Sequence, residues 1–218
     1  MLFRSAPLLR KLGANVDLVL RRLGFYPAGG GEIEVTISPA RDQLQPFDLN
    51  DRGAKLESYA ECFAPALPRS VARRELEQLA TGLGWSHGQL REAACRQNEG
   101  PGNALLATLV YERLSEVFTA FGEKGVSAEQ VARQLIRAVR DHQTSTGALG
   151  PHLADQWALP LALAVWQRGS AASYTCTALT PHAKTNFEMI ERFLPVRFST
   201  TSQAQHWTVL VEPAAQGA

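Results

Sequence analysis

Cysteine is scarce in this sequence. Cys62, Cys95 and Cys176 are the three cysteines in 218 residues, with no Cys-x-x-Cys pair and no histidine at zinc-finger spacing. An odd number of scattered cysteines argues against both a disulfide scaffold and a structural zinc site. We therefore expect three small buried thiols, and we assign no residue of the chain as a metal ligand.

The sequence also lacks an excess of one charge and a long apolar run. Its 22 basic and 21 acidic residues leave a formal charge of +1, so a nucleic-acid partner must be bound locally rather than by the whole surface.

The longest apolar run, Trp157 to Trp166, has 10 residues, whereas a bilayer span needs roughly 20. With no secretory signal at its start, we expect a cytoplasmic protein that does not insert into membranes.

Hydrophobic residues make up 45% of the chain, which is enough for a packed core, and their periodicity predicts two units. Residues 7–40 are typical of a helix end followed by a β-hairpin. Polar segments at 43–53 and 142–147 then mark two boundaries. This predicts an outer unit interrupted by an inserted unit, formed respectively by residues 1–50 with 144–218 and by residues 51–143.

The inserted unit is predicted to have the element order βαβββα. Ser70 is the expected cap of its first helix. The second helix is predicted to open on a capping box formed by Ser127 and Gln130. Its expected buried face comprises Val131, Leu135, Ile136 and Val139.

The C-terminal part of the outer unit is predicted to contain two helices, a strand and a closing hairpin. The first helix begins at about His152 and is interrupted or kinked at Pro160. The second runs from about Asn186 to Leu194. The predicted strand covers residues 172–178 and the hairpin residues 196–211.

Two glycine-rich segments are the first candidate sites. The three glycines that end Gly24–Gly31 can present backbone N–H groups to a phosphate, but they also turn a hairpin through positive φ angles. No Lys-Ser/Thr pair and no helix follow them, as a phosphate-binding loop of the Walker type requires, so we favour the turn. Gly100–Asn103 has turn chemistry, and we interpret it as structural.

A second candidate site lies at the start of the predicted helix after Pro151. The helix dipole alone accounts for a carboxylate at Asp155. In a functional interpretation, Asp155 accepts hydrogen bonds from a sugar or holds a basic group, and Gln156 binds a base or a hydroxyl. Both interpretations stay open on the residues alone.

His182 is the third candidate. Thr185 and Glu188 have capping-box spacing, which predicts that His182 lies in the loop just before a helix N-terminus. Free N–H groups there favour a neutral, nucleophilic imidazole and can hold an anion beside it, an arrangement suited to attack on phosphorus. The alternative is an ordinary surface histidine in a loop.

Taken together, the motifs resemble those of the RNA 3′-terminal phosphate cyclase family over nearly the whole chain. In chain order they are Gly24-Phe-Tyr-Pro-Ala-Gly-Gly-Gly31, Gly100-Pro-Gly-Asn103, Gly122-Glu-Lys124, His152-Leu-Ala-Asp-Gln156, His182-Ala-Lys-Thr-Asn186 and Glu191-Arg-Phe-Leu-Pro195. The resemblance implies an α/β (α+β) fold. Its large domain is a repeated βαβ-type architecture, partial here, with an inserted small thioredoxin-like domain.

The resemblance also implies an activity. Proteins of this family use ATP and a divalent metal, Mg or Mn, to convert RNA 3′-phosphate ends to 2′,3′-cyclic phosphates through a covalent histidine–AMP intermediate. It assigns His182 as the catalytic nucleophile. It assigns the nucleotide-binding stretch to His152, Leu153, Ala154, Asp155 and Gln156.

This sequence departs from the family pattern in two places. His152 stands where the family commonly has tyrosine. The Gly-rich opening segment of the family is expected to lie upstream of Met1, so we expect this fragment alone to be weakly active or inactive.

Two other protein classes stay open as alternatives. A non-catalytic cyclase-like protein of ribosome assembly or RNA binding would share the fold, but the presence of His182 favours the enzyme. An enolpyruvyl-transferase-like enzyme would need basic residues that converge on phosphate and carboxylate groups, and the sequence offers no such cluster.

Overall fold

A computed structural model of the chain describes residues 2–26 and 29–214 and confirms a mixed α/β fold. Its helices are α1 Leu2–Lys11, α2 Arg69–Leu83, α3 Ala128–Thr144, α4 Pro151–Arg168 and α5 Pro181–Phe193. Its strands are β1 Asn15–Arg22, β2 Glu32–Ser38, β3 Lys55–Phe63, β4 Leu90–Glu92, β5 Ala104–Tyr111, β6 Ser115–Phe121, β7 Ala172–Cys176, β8 Val196–Ser202 and β9 Trp207–Pro213.

The middle of the chain forms a four-stranded sheet in the order β4-β3-β5-β6, packed against α2 and α3. Strands β3 and β4 are parallel, joined through α2, and the other pairs are antiparallel. The predicted order βαβββα is confirmed, as is the Ser127 capping box. The prediction for Ser70 is wrong: Pro68 is the N-cap of α2, and Ser70 lies inside its first turn.

The remaining elements form two smaller sheets. Strands β1 and β2 make an antiparallel hairpin, and β7, β9 and β8 make an antiparallel sheet in that order. Helix α4 continues through Pro160, so the predicted interruption is wrong, whereas the alternative of a kink at this residue stays a prediction. Proline removes one backbone hydrogen bond from the helix, whereas the fully buried side chains of Trp157, Leu161 and Val165 hold the helix in the core on both sides of it.

The buried side chains form two hydrophobic clusters. One joins α1, α4, α5 and the sheet of β7, β8 and β9, and the other fills the space between α2, α3 and the four-stranded sheet. The residues of the first cluster lie outside positions 51–143, with the exception of Leu114. Those of the second cluster all lie within these positions. The domain division and the thioredoxin likeness of the inserted unit stay predictions.

Arg52 joins the chain segments that enter and leave the middle unit. Its guanidinium donates to the hydroxyl of Tyr111 at 3.3 Å and to the carbonyl of His142 at 3.1 Å. A further hydrogen bond reaches the carbonyl of Ser145. One side chain therefore holds both crossing segments together.

None of the helices in the described parts of the chain is long and apolar enough to span a membrane.

Candidate functional site

Two helix N-termini meet where strand β7 ends. Leu149, just before α4, forms a parallel bridge with Cys176, the last residue of β7. The amide of Thr177 then donates to the carbonyl of Leu149 at 2.9 Å. Because α5 begins at Pro181, only a short loop separates it from the same strand end. The starts of α4 and α5, with the candidate residues at 152–156 and 182, therefore lie at one edge of the sheet.

His182 lies inside a helix, not in the loop before one. Thr180 is the N-cap of α5, with its side-chain oxygen accepting from the amide of Ala183 at 3.0 Å, and Pro181 is the first helical residue. Proline at this position is pre-organised for a helix start. The predicted capping box of Thr185 and Glu188, and the predicted start near residue 186, are therefore wrong by about one turn.

The N-terminus of α5 offers less to an anion than expected. Pro181 has no N–H group, and the N–H of Ala183 is already bound by Thr180. Among the first three residues of this helix, as the structure describes them, the amide of His182 is left free for a ligand. The His182 side chain itself is exposed, so its imidazole is accessible from solvent.

Asn186 ties the start of α5 to the start of α4. Its side-chain amide donates to the backbone carbonyl of Asp155 at 3.2 Å and to the Asp155 carboxylate at 3.3 Å. His182 precedes Asn186 by four residues, and residues at this spacing lie on one helix face. The imidazole therefore lies one turn from the contact that fixes α5 against α4.

The pentapeptide assigned to nucleotide binding divides into two groups. Leu153 and Ala154 are 0% and 1% exposed and belong to the core, because successive residues of a helix point in different directions. Their side chains are therefore turned into the core, and the assignment of residues 152–156 to nucleotide binding stays a prediction. His152 is exposed, and Asp155 and Gln156 are half-buried. The carbonyl of the Gln156 side chain accepts from the Ser5 hydroxyl at 3.0 Å.

Replacement of Asn186 by Ala should lower the free energy of unfolding by about 1 kcal/mol, because it removes the two hydrogen bonds to Asp155. Urea denaturation of the purified chain measures this. Thr185→Ala, an exposed position on the same turn, is the control and should change stability by less than about 0.5 kcal/mol. Equal effects of the two substitutions would show that the Asn186–Asp155 contact does not fasten the helices.

Glu116 is a site residue that the sequence analysis missed. This residue of β6 is 1% exposed, and its carboxylate accepts from the amide of Gly150, the N-cap of α4, at 2.5 Å. Burial raises the pKa of Glu116 to about 7, although the Gly150 amide and the nearby Arg4 and Arg52 guanidiniums favour its ionised form. Glu116 thus joins the middle unit to the helix start that carries His152, Asp155 and Gln156.

The raised pKa of Glu116 makes stability depend on pH. The unfolded chain ionises this carboxyl near pH 4.5 and the folded chain near pH 7, so its contribution to stability is complete below pH 4.5 and is lost as the pH rises to 7. Glu116→Gln should match the parent at pH 4.5 and exceed it by about 3 kcal/mol at pH 8. Denaturant titrations at both pH values test this; a difference that does not grow with pH contradicts it.

The two glycine-rich segments meet each other. Strands β1 and β2 pair as the predicted hairpin, and Gly29 and Gly30 have φ angles of +66° and +79°; Pro27 and Ala28 of the octapeptide lie outside the described residues. A Cβ atom at Gly102 would fall 2.0 Å from the ring of Phe25. Close packing therefore accounts for this glycine.

No group of three His, Cys, Asp or Glu side chains is placed to hold a metal ion within residues 2–26 and 29–214.

Comparisons with known proteins show which family this chain is similar to. The family model described as RNA 3′-terminal phosphate cyclase matches residues 3–200. The chain is 42% identical over 206 residues to an RNA 3′-terminal phosphate cyclase of Ralstonia nicotianae, covering 94% of this chain and 57% of that protein. It is 41% identical over 198 residues to one of Koribacter versatilis, covering 91% and 54%. With one of Salmonella enteritidis it shares 40% identity over 208 residues, covering 94% and 58%.

The chain thus spans a little over half the length of these relatives, at 54% to 58%. The match nevertheless extends from the start of α1 into β8 and includes both helix starts of the candidate site. On this evidence, the chain belongs to the RNA 3′-terminal phosphate cyclase family.

Proposed function

We propose that this chain carries the histidine-adenylylation site of an ATP-dependent enzyme that converts RNA 3′-phosphate ends to 2′,3′-cyclic phosphates. The observation that carries the proposal is the position of His182. Its exposed imidazole lies one helical turn from the Asn186–Asp155 contact, at the edge where α4 and α5 begin. The names of the relatives support the reaction class.

His182 is the nucleophile in this proposal. One ring nitrogen uses its lone pair to form a bond to the α-phosphorus, and the bond from that phosphorus to the departing pyrophosphate breaks. The adenylyl group then passes to the RNA 3′-phosphate, and the neighbouring 2′-hydroxyl closes the cyclic ester with release of AMP. The free amide of His182 adds one hydrogen-bond donor for a phosphate oxygen at the start of α5.

In this proposal Asp155 and Gln156 bind the adenylate, and the exposed His152 lies at the outer boundary of the site. Asp155 also fixes Asn186, so it has a positioning role besides any contact with ribose. The residues fit a nucleotide because Asp155 and Gln156 combine a carboxylate and an amide, which can accept from ribose hydroxyls and pair with a base edge. ATP supplies the adenylyl group.

A divalent metal, Mg or Mn, is part of the proposal. Mg²⁺ in such sites usually keeps several waters and is bound by substrate phosphates together with one or two carboxylates. We place the reaction in the cytoplasm.

Incubation of the 218-residue chain with ATP labelled in its α-phosphate, with Mg²⁺ or Mn²⁺, tests the proposal. Because the chain spans about half of its relatives' length, we expect weak labelling or none. Any label should map to His182 and disappear in His182→Ala. It should remain in His87→Ala, which removes another exposed histidine. Label that persists in His182→Ala contradicts the assignment of the nucleophile.

A non-catalytic RNA-binding protein of the same fold gives a different result. Such a chain would bind RNA but show no labelling of His182, even when it is joined to the remaining part of a relative. The exchange experiment at the end of the Discussion separates the two.

A further inference from the structure

An open pocket of about 440 Å³ lies between the β8–β9 turn and the segment that leaves the middle unit. Its lining includes Ser145, Thr177, Gln203, Gln205 and Trp207. Thr177 directly follows β7 and bonds to Leu149, so the pocket opens at the same sheet edge as the starts of α4 and α5. None of the candidate residues at 152–156 or 182 lines it, and the proposed function leaves it without a role.

The walls of the pocket are fixed by hydrogen bonds. The Ser145 hydroxyl donates to the carbonyl of Gln205 at 2.5 Å, and the Thr146 hydroxyl bonds to Nδ1 of His206 at 2.7 Å. The amide nitrogen of the Gln203 side chain donates to Thr208 at 3.3 Å, which leaves its carbonyl oxygen as an acceptor. The turn is therefore held against the linker before any ligand arrives.

The chemistry of the lining fits a nucleoside. The described residues around the pocket supply hydroxyls, two primary amides, an imidazole and an indole, and they include no carboxylate and no Lys or Arg. Neutral groups that both donate and accept suit base edges and ribose hydroxyls, whereas a phosphate alone would call for cations. A volume of about 440 Å³ lies in the range of small-ligand pockets.

Trp207 and Lys184 connect the pocket to helix α5, which carries His182. Trp207 is half-buried in the pocket wall. The ammonium of Lys184 lies 6.0 Å from the centre of its ring, and Lys184 follows His182 by two residues on α5. Indole faces stack on bases of any sequence, and an ammonium at the rim attracts the adjoining phosphate.

We propose that this pocket binds a nucleoside near the 3′ end of the RNA strand, with its base against Trp207 and an adjoining phosphate near Lys184. This inference rests on the proposed function, since it assumes an RNA substrate at this edge. It assigns the β8–β9 turn to RNA binding and leaves adenylylation to the residues around His182. The pocket is a binding site, so its residues should affect RNA affinity and not the labelling of His182.

Photocrosslinking tests the location. A short RNA with a 3′-phosphate, carrying 4-thiouridine at the last or the penultimate position, is irradiated with the 218-residue chain, and the crosslinked peptide is identified by mass spectrometry. We expect crosslinks within residues 202–207. Crosslinks confined to other segments, or none at all, overturn the proposal. Loss of the crosslink in excess ATP would assign the pocket to the nucleotide cofactor and also overturn it.

Affinity measurements test the contacts. Trp207→Leu should weaken binding of the same RNA about tenfold, whereas Trp166→Leu, the same change at a 47% exposed site on α4, should leave it unchanged. Gln203→Ala and Gln205→Ala lie on the exposed turn and test the pocket if Trp207→Leu unfolds. Equal affinity of all variants overturns the proposal.

Adenylylation separates this inference from the proposed function, because labelling of His182 requires no RNA. Labelled His182 without a crosslink at 202–207 refutes the pocket alone. A crosslink there, together with an exchanged protein (described in the Discussion) that folds but is never labelled, refutes the nucleophile alone.

Discussion

Replacement of His142 by Leu should make the fold markedly more resistant to acid. His142 is 2% exposed, and its two ring nitrogens have no hydrogen-bond partner among the described residues. Its ring lies 5.4 Å from that of Phe118 and 6.1 Å from that of Tyr111, between ring centres. Burial, with a smaller contribution from Arg52, lowers the pKa of His142 to about 3.

The lowered pKa sets the direction of the effect. In the unfolded chain the imidazole takes up a proton near pH 6.5, whereas in the folded chain it stays neutral to about pH 3. The unfolded state therefore binds more protons in this window, and the free energy of unfolding falls as the pH is lowered through it. Leucine abolishes this dependence.

The advantage of His142→Leu over the parent should be about 3 kcal/mol larger at pH 4 than at pH 7. At pH 7 the variant should already be more stable by about 1 kcal/mol, because unsatisfied buried nitrogens are removed. Urea denaturation of the variant and the parent at both pH values measures this difference. The carboxyl groups titrate alike in the two proteins, so their contribution to the pH dependence cancels. His87→Leu, at an exposed histidine, is the control and should show no such pH-dependent gain. A pH-independent difference for His142→Leu would contradict the buried neutral imidazole.

The sequence predicted most reliably those elements whose signals are local. The order βαβββα of the middle unit follows from the alternation and periodicity of its own residues. Ser127 and Gln130 form the predicted capping box because both partners lie within one turn. The predicted face of α3, from Val131 to Val139, is buried for the same reason.

Two local signals competed at the start of α5. Thr185 and Glu188 have capping-box spacing, but the Thr180-Pro181 pair begins the helix one turn earlier. The proline at Pro160 suggested a break in α4, and burial of the flanking residues prevailed over the lost hydrogen bond. A stronger local capping signal decided the first case, and the packing of the segment decided the second.

Contacts between distant segments had no signal in the sequence. Glu116 and Gly150 lie 34 residues apart, and Asn186 and Asp155 lie 31 apart. A glutamate in a predicted strand is ordinarily a surface residue, so nothing marked Glu116 as buried. The candidate residues His182, Asp155 and Gln156 came instead from the motifs, which indicate chemistry without showing which side chains meet.

The second large effect concerns His182 in a complete enzyme. The chain can replace the matched region of the Ralstonia nicotianae protein, to which it is 42% identical over 206 residues. In the exchanged protein, this chain takes the place of the matched region, and the rest of the relative is retained. We expect the resulting protein to be adenylylated, and His182→Ala should reduce its labelling by at least about a thousandfold, as loss of a nucleophile does.

Mapping of the labelled residue in this exchanged protein is the most direct test of the central claim. The account predicts α-phosphate label on His182, its loss in His182→Ala and its retention in His87→Ala. A folded exchanged protein that takes up no label, or one in which His182→Ala stays labelled, would contradict the account.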